Sequence, residues 1–205
     1  MNILIDALPD TVNVRGQKYE IRTDFRIAMM FEILMQDDSI RPQDKTKKAL
    51  SLFYPEIPAD LKKATDAMLW FYKCGKEDNP QRKKLAARKG KTRVYSFEYD
   101  DDYIYAAFMT QYGIDLQDIE YMHWWKFRAM FNSLDKDIQF SKIMEYRSVE
   151  INSIPTEQQP FYRKMKRLYA LPVPDDEQEK LDKIEQALLN GGDLSKVCLL
   201  YTSPS

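Results

Sequence analysis

Three consecutive segments carry apolar side chains at helical spacing, and this succession most restricts what the chain can fold into. The segments cover residues 23–38, 41–54 and 58–76. In the first, Phe25 and Met29 begin a broad apolar stripe, which is the pattern of a helix that buries one face. Three such segments in succession predict a helical N-terminal half.

Two short stretches with alternating apolar residues predict a small β component. Near residues 11–22, apolar side chains alternate on both sides of Gly16, which favours a β-hairpin. Residues 93–99 place Tyr95 and Phe97 on one face, which favours a short strand. The predicted fold class is therefore mainly α, a helical domain with this small β component.

The second half of the chain predicts further helices. They cover about residues 102–112, 115–134, 137–147 and 154–172. Asp101 or Asp102 caps the first, which Gly113 ends, because acidic side chains stabilise a first helical turn. Asp115 caps the second helix, and Thr156 caps the last.

Aromatic side chains lie on both sides of the helix predicted from Asp115. At about 100° per residue, His123 falls in the apolar stripe with Leu116, whereas Tyr121 and Trp125 point the opposite way. Such a helix is buried on two sides or buries one side in a partner. Tyr121 and Trp125 are therefore candidate partner contacts, with burial in the core as the alternative.

Four carboxylates precede the first helix of the second half. They are Glu98, Asp100, Asp101 and Asp102. Carboxylates can bind a hard cation, but an EF-hand requires alternating ligands, a central glycine and a later glutamate, and this register is absent. A two-metal site with ligands from separate elements stays open. We expect these acids to cap the helix and to be solvated.

No motif assembles a catalytic group. His123 is the single histidine of the chain, and without a GxSxG elbow we expect it to be a hydrogen-bonded core residue. Cys74 and Cys198 have no metal-ligand spacing. The sequence contains no phosphate-binding glycine motif. We predict no catalytic, cofactor-binding or metal-binding residue and no enzyme activity.

The charge distribution restricts the classes of partner. A net charge of -1 creates no overall field towards nucleic acid or membranes. The basic run at residues 76–93 is either a nucleic-acid patch or a solvated connection, and the second is favoured because no aromatic residue interrupts it. No apolar run approaches the roughly 18 residues of a membrane span, and the N-terminus lacks signal-peptide features. We expect a cytoplasmic protein.

The chain is predicted to form one main domain at residues 1–172. Residues 173–197 are expected to be a linker and a charged helix at about 175–190. Residues 198–205, "CLLYTSPS", resemble the translation of a sequencing adapter. We therefore expect a non-native or disordered tail.

Several segments resemble the phage gene-product-fifteen family. The similarity is most specific in "YSFEYDDDYIYAAFMTQYGIDLQDIEYMHWWKFRAMFNSL". With "NILIDALPDTV", "FSKIMEYRSVEI" and "FYRKMKRLYALP" it covers about residues 2–172. Members of the family occur in tailed phages and prophages of Gram-positive hosts, usually encoded between the major tail protein and the tape-measure protein. The family has no catalytic residues to carry over.

The resemblance implies a phage tail assembly protein, a chaperone that binds the tape-measure protein during tail morphogenesis in the cytoplasm of the bacterial host. The expected partners are the tape-measure or other tail proteins, with a homo-oligomer left open and no cofactor. One alternative is a structural tail component retained in the virion. Another is a nucleic-acid-binding phage protein that uses residues 76–93 and 163–167.

Overall fold

Helices dominate the described part of the chain, residues 2–76 and 93–172 of this computed structural model. Along these residues the elements are β1 (Thr11–Val14), β2 (Gln17–Glu20), α1 (Phe25–Gln36), α2 (Pro42–Phe53), α3 (Leu61–Tyr72), α4 (Asp101–Tyr112), α5 (Trp124–Phe131), α6 (Gln139–Ser148), a 3-10 turn (Ile151–Ser153) and α7 (Gln159–Leu168). The predicted fold class, mainly α with a small β component, is confirmed. All of these elements belong to one compact unit, Met1–Ala170.

The predicted β-hairpin is confirmed, and its register follows from its two-residue turn. Val14 pairs with Gln17 across the turn, and β1 and β2 run antiparallel. Arg15 and Gly16 occupy the turn with φ angles of 53° and 86°, and two consecutive positive φ values match the right-handed twist of the strands. The register buries Val12 and Val14 on the side that faces the helices.

The three helices predicted in the N-terminal half are confirmed as α1, α2 and α3, and each begins where the sequence signals a start. The carboxylate of Asp24 accepts a hydrogen bond from the backbone N–H of Arg26 at 2.9 Å. Asp60 caps α3 in the same way through the N–H of Lys63. Pro42 opens α2, where its missing N–H costs no helical hydrogen bond.

The helix predicted from Asp115 is wrong over its first half. Residues 114–123 are irregular apart from one turn, and α5 begins only after them. The guanidinium of Arg26 donates hydrogen bonds to the carbonyls of Leu116 at 3.2 Å and Ile119 at 2.6 Å. The segment therefore follows the surface of α1 instead of winding into a helix.

The short strand predicted at residues 93–99 is also wrong. The segment is irregular and ends in a turn. The N–H of Ser96 donates to the carboxylate of Asp100 at 2.8 Å instead of to a neighbouring strand. The rings of Tyr95 and Phe97 lie 5.3 Å apart against the core, so the apolar alternation marks a segment that packs on the core without pairing as a strand.

The helix predicted at residues 154–172 is confirmed over the shorter range of α7. Its N-cap position is Gln158, without a side-chain capping bond, so Thr156 is not the cap. Pro160 lies in the first helical turn, where a proline is tolerated. The helix predicted at 175–190 lies outside the described residues, as does almost all of the basic run.

An aromatic cluster centred on Phe127 forms the middle of the core. Its ring is fully buried. It stacks on Phe108 with centroids 4.8 Å apart and on Phe25 at 4.9 Å, and Trp124 lies 5.8 Å away. These contacts join α1, α4 and α5. Large rings such as these bury the most apolar surface per side chain.

A buried ion pair connects α4, α6 and α7. Arg147 of α6 donates to the two carboxylate oxygens of Asp100 at 2.6 and 2.8 Å. It also donates to the carbonyls of Tyr169 at 2.5 Å and Val94 at 3.1 Å. The side chains of Arg147 and Asp100 are 7% and 1% exposed. The guanidinium thus holds three segments of the chain together.

Two glycines end helices in the left-handed conformation, but their surroundings differ. Gly113 follows α4 with a φ of 62°, and a Cβ there would meet no atom within 4 Å. Gly75 lies just beyond α3 with a φ of 65°, and a Cβ there would be 2.9 Å from the Trp125 ring. Gly113 is required only for its left-handed backbone conformation. Gly75 is required for the same conformation and also because the Trp125 ring leaves no room for a side chain.

In the described residues, no helix is both long and apolar enough to cross a membrane.

We expect Arg147→Ala to lower the free energy of unfolding by about 3–5 kcal/mol, because it leaves the carboxylate of Asp100 buried without its counterion. Denaturant unfolding measures the change. Lys142→Ala on the same helix is the control, since Lys142 lies 4.0 Å from Asp137 in an exposed pair. Equal effects of the two substitutions would contradict a structural role for the buried pair.

We expect Gly113→Ala to cost about 1–2 kcal/mol, the strain of a left-handed residue with a Cβ. Gly75→Ala should cost about 1–3 kcal/mol more, because the added methyl group overlaps the Trp125 ring. Thermal and denaturant unfolding of both variants measure the difference. If Gly75→Ala proved the milder change, the close approach of Trp125 would be refuted.

Candidate interaction surface

The segment of residues 114–123 lies across the N-terminus of α1. The N–H of Phe25 donates to the carbonyl of Met122 at 2.9 Å, and the N–H of Trp124 donates to the carbonyl of Thr23 at 2.7 Å. Asp24 and His123 form an isolated antiparallel bridge between these bonds. The backbone that carries the candidate residues is therefore attached to α1 before α5 begins.

His123 is a buried N-cap residue. The residue is only 5% exposed, and its Nδ1 accepts a hydrogen bond from the N–H of Trp125 at 3.0 Å. Because Nδ1 accepts, the ring proton lies on Nε2, which points at the carbonyl of Pro9 at 3.2 Å. The prediction of a hydrogen-bonded core histidine is confirmed, although His123 lies before its helix and not within it.

Burial lowers the pKa of His123 below its ordinary value. The nearby charge of Lys126 acts in the same direction, while the hydrogen bond to Pro9 and the charge of Asp10 oppose it. Protonation would also place a hydrogen on Nδ1 and break the cap of α5. The neutral imidazole is therefore the form that the fold requires.

Trp125 is a core residue, and so is its neighbour Trp124. The indole N–H of Trp124 donates to the carbonyl of Tyr72 at 2.8 Å, and that of Trp125 donates to the carbonyl of Phe71 at 2.8 Å. These carbonyls belong to the last turn of α3, and that of Phe71 also accepts a hydrogen bond from the N–H of Cys74 at 2.9 Å. Trp125 is only 4% exposed. Of the two alternatives for this residue, the structure shows core burial.

Tyr121 lies at the surface. It is 54% exposed, and its hydroxyl group lies 2.7 Å from the hydroxyl of Thr23. The structure therefore separates the two candidate contacts, because Tyr121 is accessible to a partner and Trp125 is not. A partner contact at Tyr121 stays a prediction.

The four carboxylates at the start of α4 have different surroundings. Asp100 occupies the N-cap position, but its side chain binds Arg147 and Ser96 and makes no capping bond within α4. Asp101 and Asp102 lie exposed in the first turn, where they interact favourably with the helix dipole. Glu98 is exposed. Among the residues described, no group of three or more potential ligands can hold a metal ion.

A half-buried polar cluster around Glu32 has no signal in the sequence pattern. The carboxylate of Glu32 accepts hydrogen bonds from the hydroxyl groups of Tyr72 and Tyr95 and lies 3.5 Å from the guanidinium of Arg128. Burial and the charge of Glu32 raise the pKa of Tyr95 to about 12, and they raise that of Tyr72 further. Both tyrosines remain protonated donors. The cluster joins α1, α3 and α5 and is structural.

An apolar groove lies between α1 and α2. It has a volume of about 560 Å³. The apolar residues that line it are Met30, Ile33, Leu34, Ile40 and Leu52. Lys47 and Lys48 lie along its α2 side and are exposed. Apolar periodicity predicted the two helices, but it did not show that their contact leaves part of this face uncovered.

Comparison with known proteins identifies one family. Residues 4–171 match the family described as Bacteriophage Gp15 protein, which confirms the resemblance drawn from the sequence. No curated protein and no solved structure gives a significant match to the chain.

We expect the free energy of unfolding to decline as the pH falls below about 6.5, because the unfolded chain then binds more protons at His123 than the folded chain does. His123→Asn should reduce this decline, since asparagine caps a helix equally well and does not titrate. Urea unfolding across this pH range measures both proteins. The same pH dependence in the variant would show that other groups cause the decline.

Proposed function

The chain belongs to the bacteriophage Gp15 protein family, and we propose that it is a phage tail assembly protein that chaperones the tape-measure protein during tail morphogenesis. It acts in the cytoplasm of the bacterial host, binds without catalysing a reaction, and needs no cofactor. The family match supports a phage role. The groove between α1 and α2 supports a role in binding.

The groove is the observation that carries this proposal. Met30 is 44% exposed at its edge, and side chains of both helices present apolar surface to solvent. A tape-measure protein is a long, mostly helical chain with exposed apolar faces before assembly. A groove of this kind accepts the apolar face of a helix, and flexible methionine side chains adapt to different sequences along such a partner.

Tyr121 is a second candidate contact. Its exposed ring and its anchored hydroxyl group provide a rigid aromatic surface beside the start of α1, and tyrosine is frequent where binding energy concentrates. Trp125 takes no part in this proposal because it is buried.

A structural tail component that stays in the virion is the main alternative, since the same groove could bind a helix permanently. Mass spectrometry of purified virions distinguishes the two roles, because an assembly chaperone is absent from finished particles. A nucleic-acid-binding role predicts salt-dependent binding to DNA. Most of the basic run that suggested it lies outside the described residues.

The test is co-expression of the chain with the tape-measure protein of the same phage, followed by affinity purification. We expect co-purification and an increase in soluble tape-measure protein. Met30→Glu should lower the recovered partner about tenfold, because it places a carboxylate in an apolar contact.

Met35→Glu is the matched control, because Met35 lies on the same helix, is 47% exposed and does not line the groove. If the wild-type pair never co-purifies and tape-measure solubility is unchanged, the chaperone role is wrong. If the pair co-purifies but both variants behave as wild type, the groove is not the contact.

A further inference from the structure

The outer face of α7, the side that carries Phe161 and Leu168, exposes large apolar side chains to solvent. None of the ten residues of this helix is buried. Phe161 is 51% exposed and Leu168 is 64% exposed, and they lie seven positions apart on one side of the helix. Two large apolar side chains therefore face solvent along nearly the whole length of a helix that has a strongly apolar and a strongly basic side.

Contacts on the adjoining side of the helix hold α7 in place. The ring of Tyr146 on α6 lies 5.9 Å from Tyr162 and 6.1 Å from Tyr169, and it also contacts the covered side of the Phe161 ring at 6.0 Å. The ammonium group of Lys166 donates to the carbonyl of Val149 at 2.9 Å. The outer face is therefore presented by a helix that its inner face anchors.

The charge of α7 has one sign. The helix carries Arg163, Lys164, Lys166 and Arg167 and no carboxylate. Lys166 is engaged with Val149, and Arg163 donates to the side chain of Gln159 at 3.1 Å. Within the described residues, neither Lys164 nor Arg167 belongs to an ion pair within 4.0 Å. Two cations thus border the exposed apolar side chains.

We propose that this face docks an acidic amphipathic helix of a protein partner. The partner places apolar side chains on Phe161 and Leu168 and carboxylates beside Lys164 and Arg167. Opposite charges along the border of an apolar contact orient the partner and exclude partners of the wrong sign. The surface is separate from the groove between α1 and α2, and the proposal does not depend on the tape-measure role.

The geometry favours a protein helix over a lipid membrane or a nucleic acid, the two other kinds of partner that carry negative charge. A membrane-bound helix must bury a broad apolar face in lipid, but Tyr162, Met165 and Tyr169 are partly covered within the fold. Only Phe161 and Leu168 stay available. A nucleic acid would engage the cations through its phosphates and would leave Leu168 in water.

The test measures binding of the full chain to a labelled synthetic helix by fluorescence anisotropy. The probe is about five turns long and has leucines on one face and glutamates elsewhere. A second probe replaces every glutamate with lysine. We expect the acidic probe to bind, with an affinity that falls as salt rises, and the basic probe to bind at least about tenfold more weakly.

Two exposed substitutions should each weaken binding of the acidic probe by about tenfold. Leu168→Glu introduces a carboxylate into the apolar contact, and Arg167→Glu reverses one bordering charge. The matched controls are Met109→Glu, at a residue 38% exposed on α4, and Lys126→Glu, at an exposed lysine of α5. Circular dichroism verifies that all four variants fold.

Three outcomes overturn the proposal. The first is that the acidic and basic probes bind equally well, or that neither probe binds. The second is acidic-probe binding that the two α7 substitutions do not weaken more than the controls do. The third is that the chain binds only a short DNA duplex or phosphatidylglycerol vesicles, which would assign the cations to phosphate groups.

Discussion

The attachment of α5 to the last turn of α3 is the interaction on which the rest of the fold depends. The final carbonyls of a helix are not all bonded within the helix, and here the indole groups of Trp124 and Trp125 donate to two carbonyls of the last turn, those of Tyr72 and Phe71. Trp124 also packs against Phe127. One pair of adjacent residues thus orients α5, closes the end of α3, and joins the two described stretches of the chain through a single core.

Local signals in the sequence determine which helices could be predicted. The first three helices were predictable because their caps and apolar stripes are local, as the pairing of Asp24 with the start of α1 illustrates. The segment before α5 was not predictable, because its apolar spacing continues a helical pattern while Arg26, distant in sequence, binds its carbonyls. Local periodicity contains no information about a cation that arrives from another helix.

The same limit applies to the candidate site. Tyr121 and Trp125 lie on one side of a hypothetical continuous helix, but the true helix begins at Trp124 and turns Trp125 into the core. The pairing of Asp100 with Arg147 spans 47 positions and has no sequence pattern of its own. What the sequence does reveal is the supply of aromatic and methionine side chains, and the packing then decides which are buried and which remain exposed, as Met30 does.

Arg147 has a mechanical consequence. Its one guanidinium group holds the carbonyl of Tyr169, the carbonyl of Val94 and the carboxylate of Asp100. A force applied to the end of α7 is therefore transmitted through the planar guanidinium group and its hydrogen bonds to the backbone that leads into α4. A partner that pulls on α7 would therefore load the interior of the domain and would not simply detach this helix.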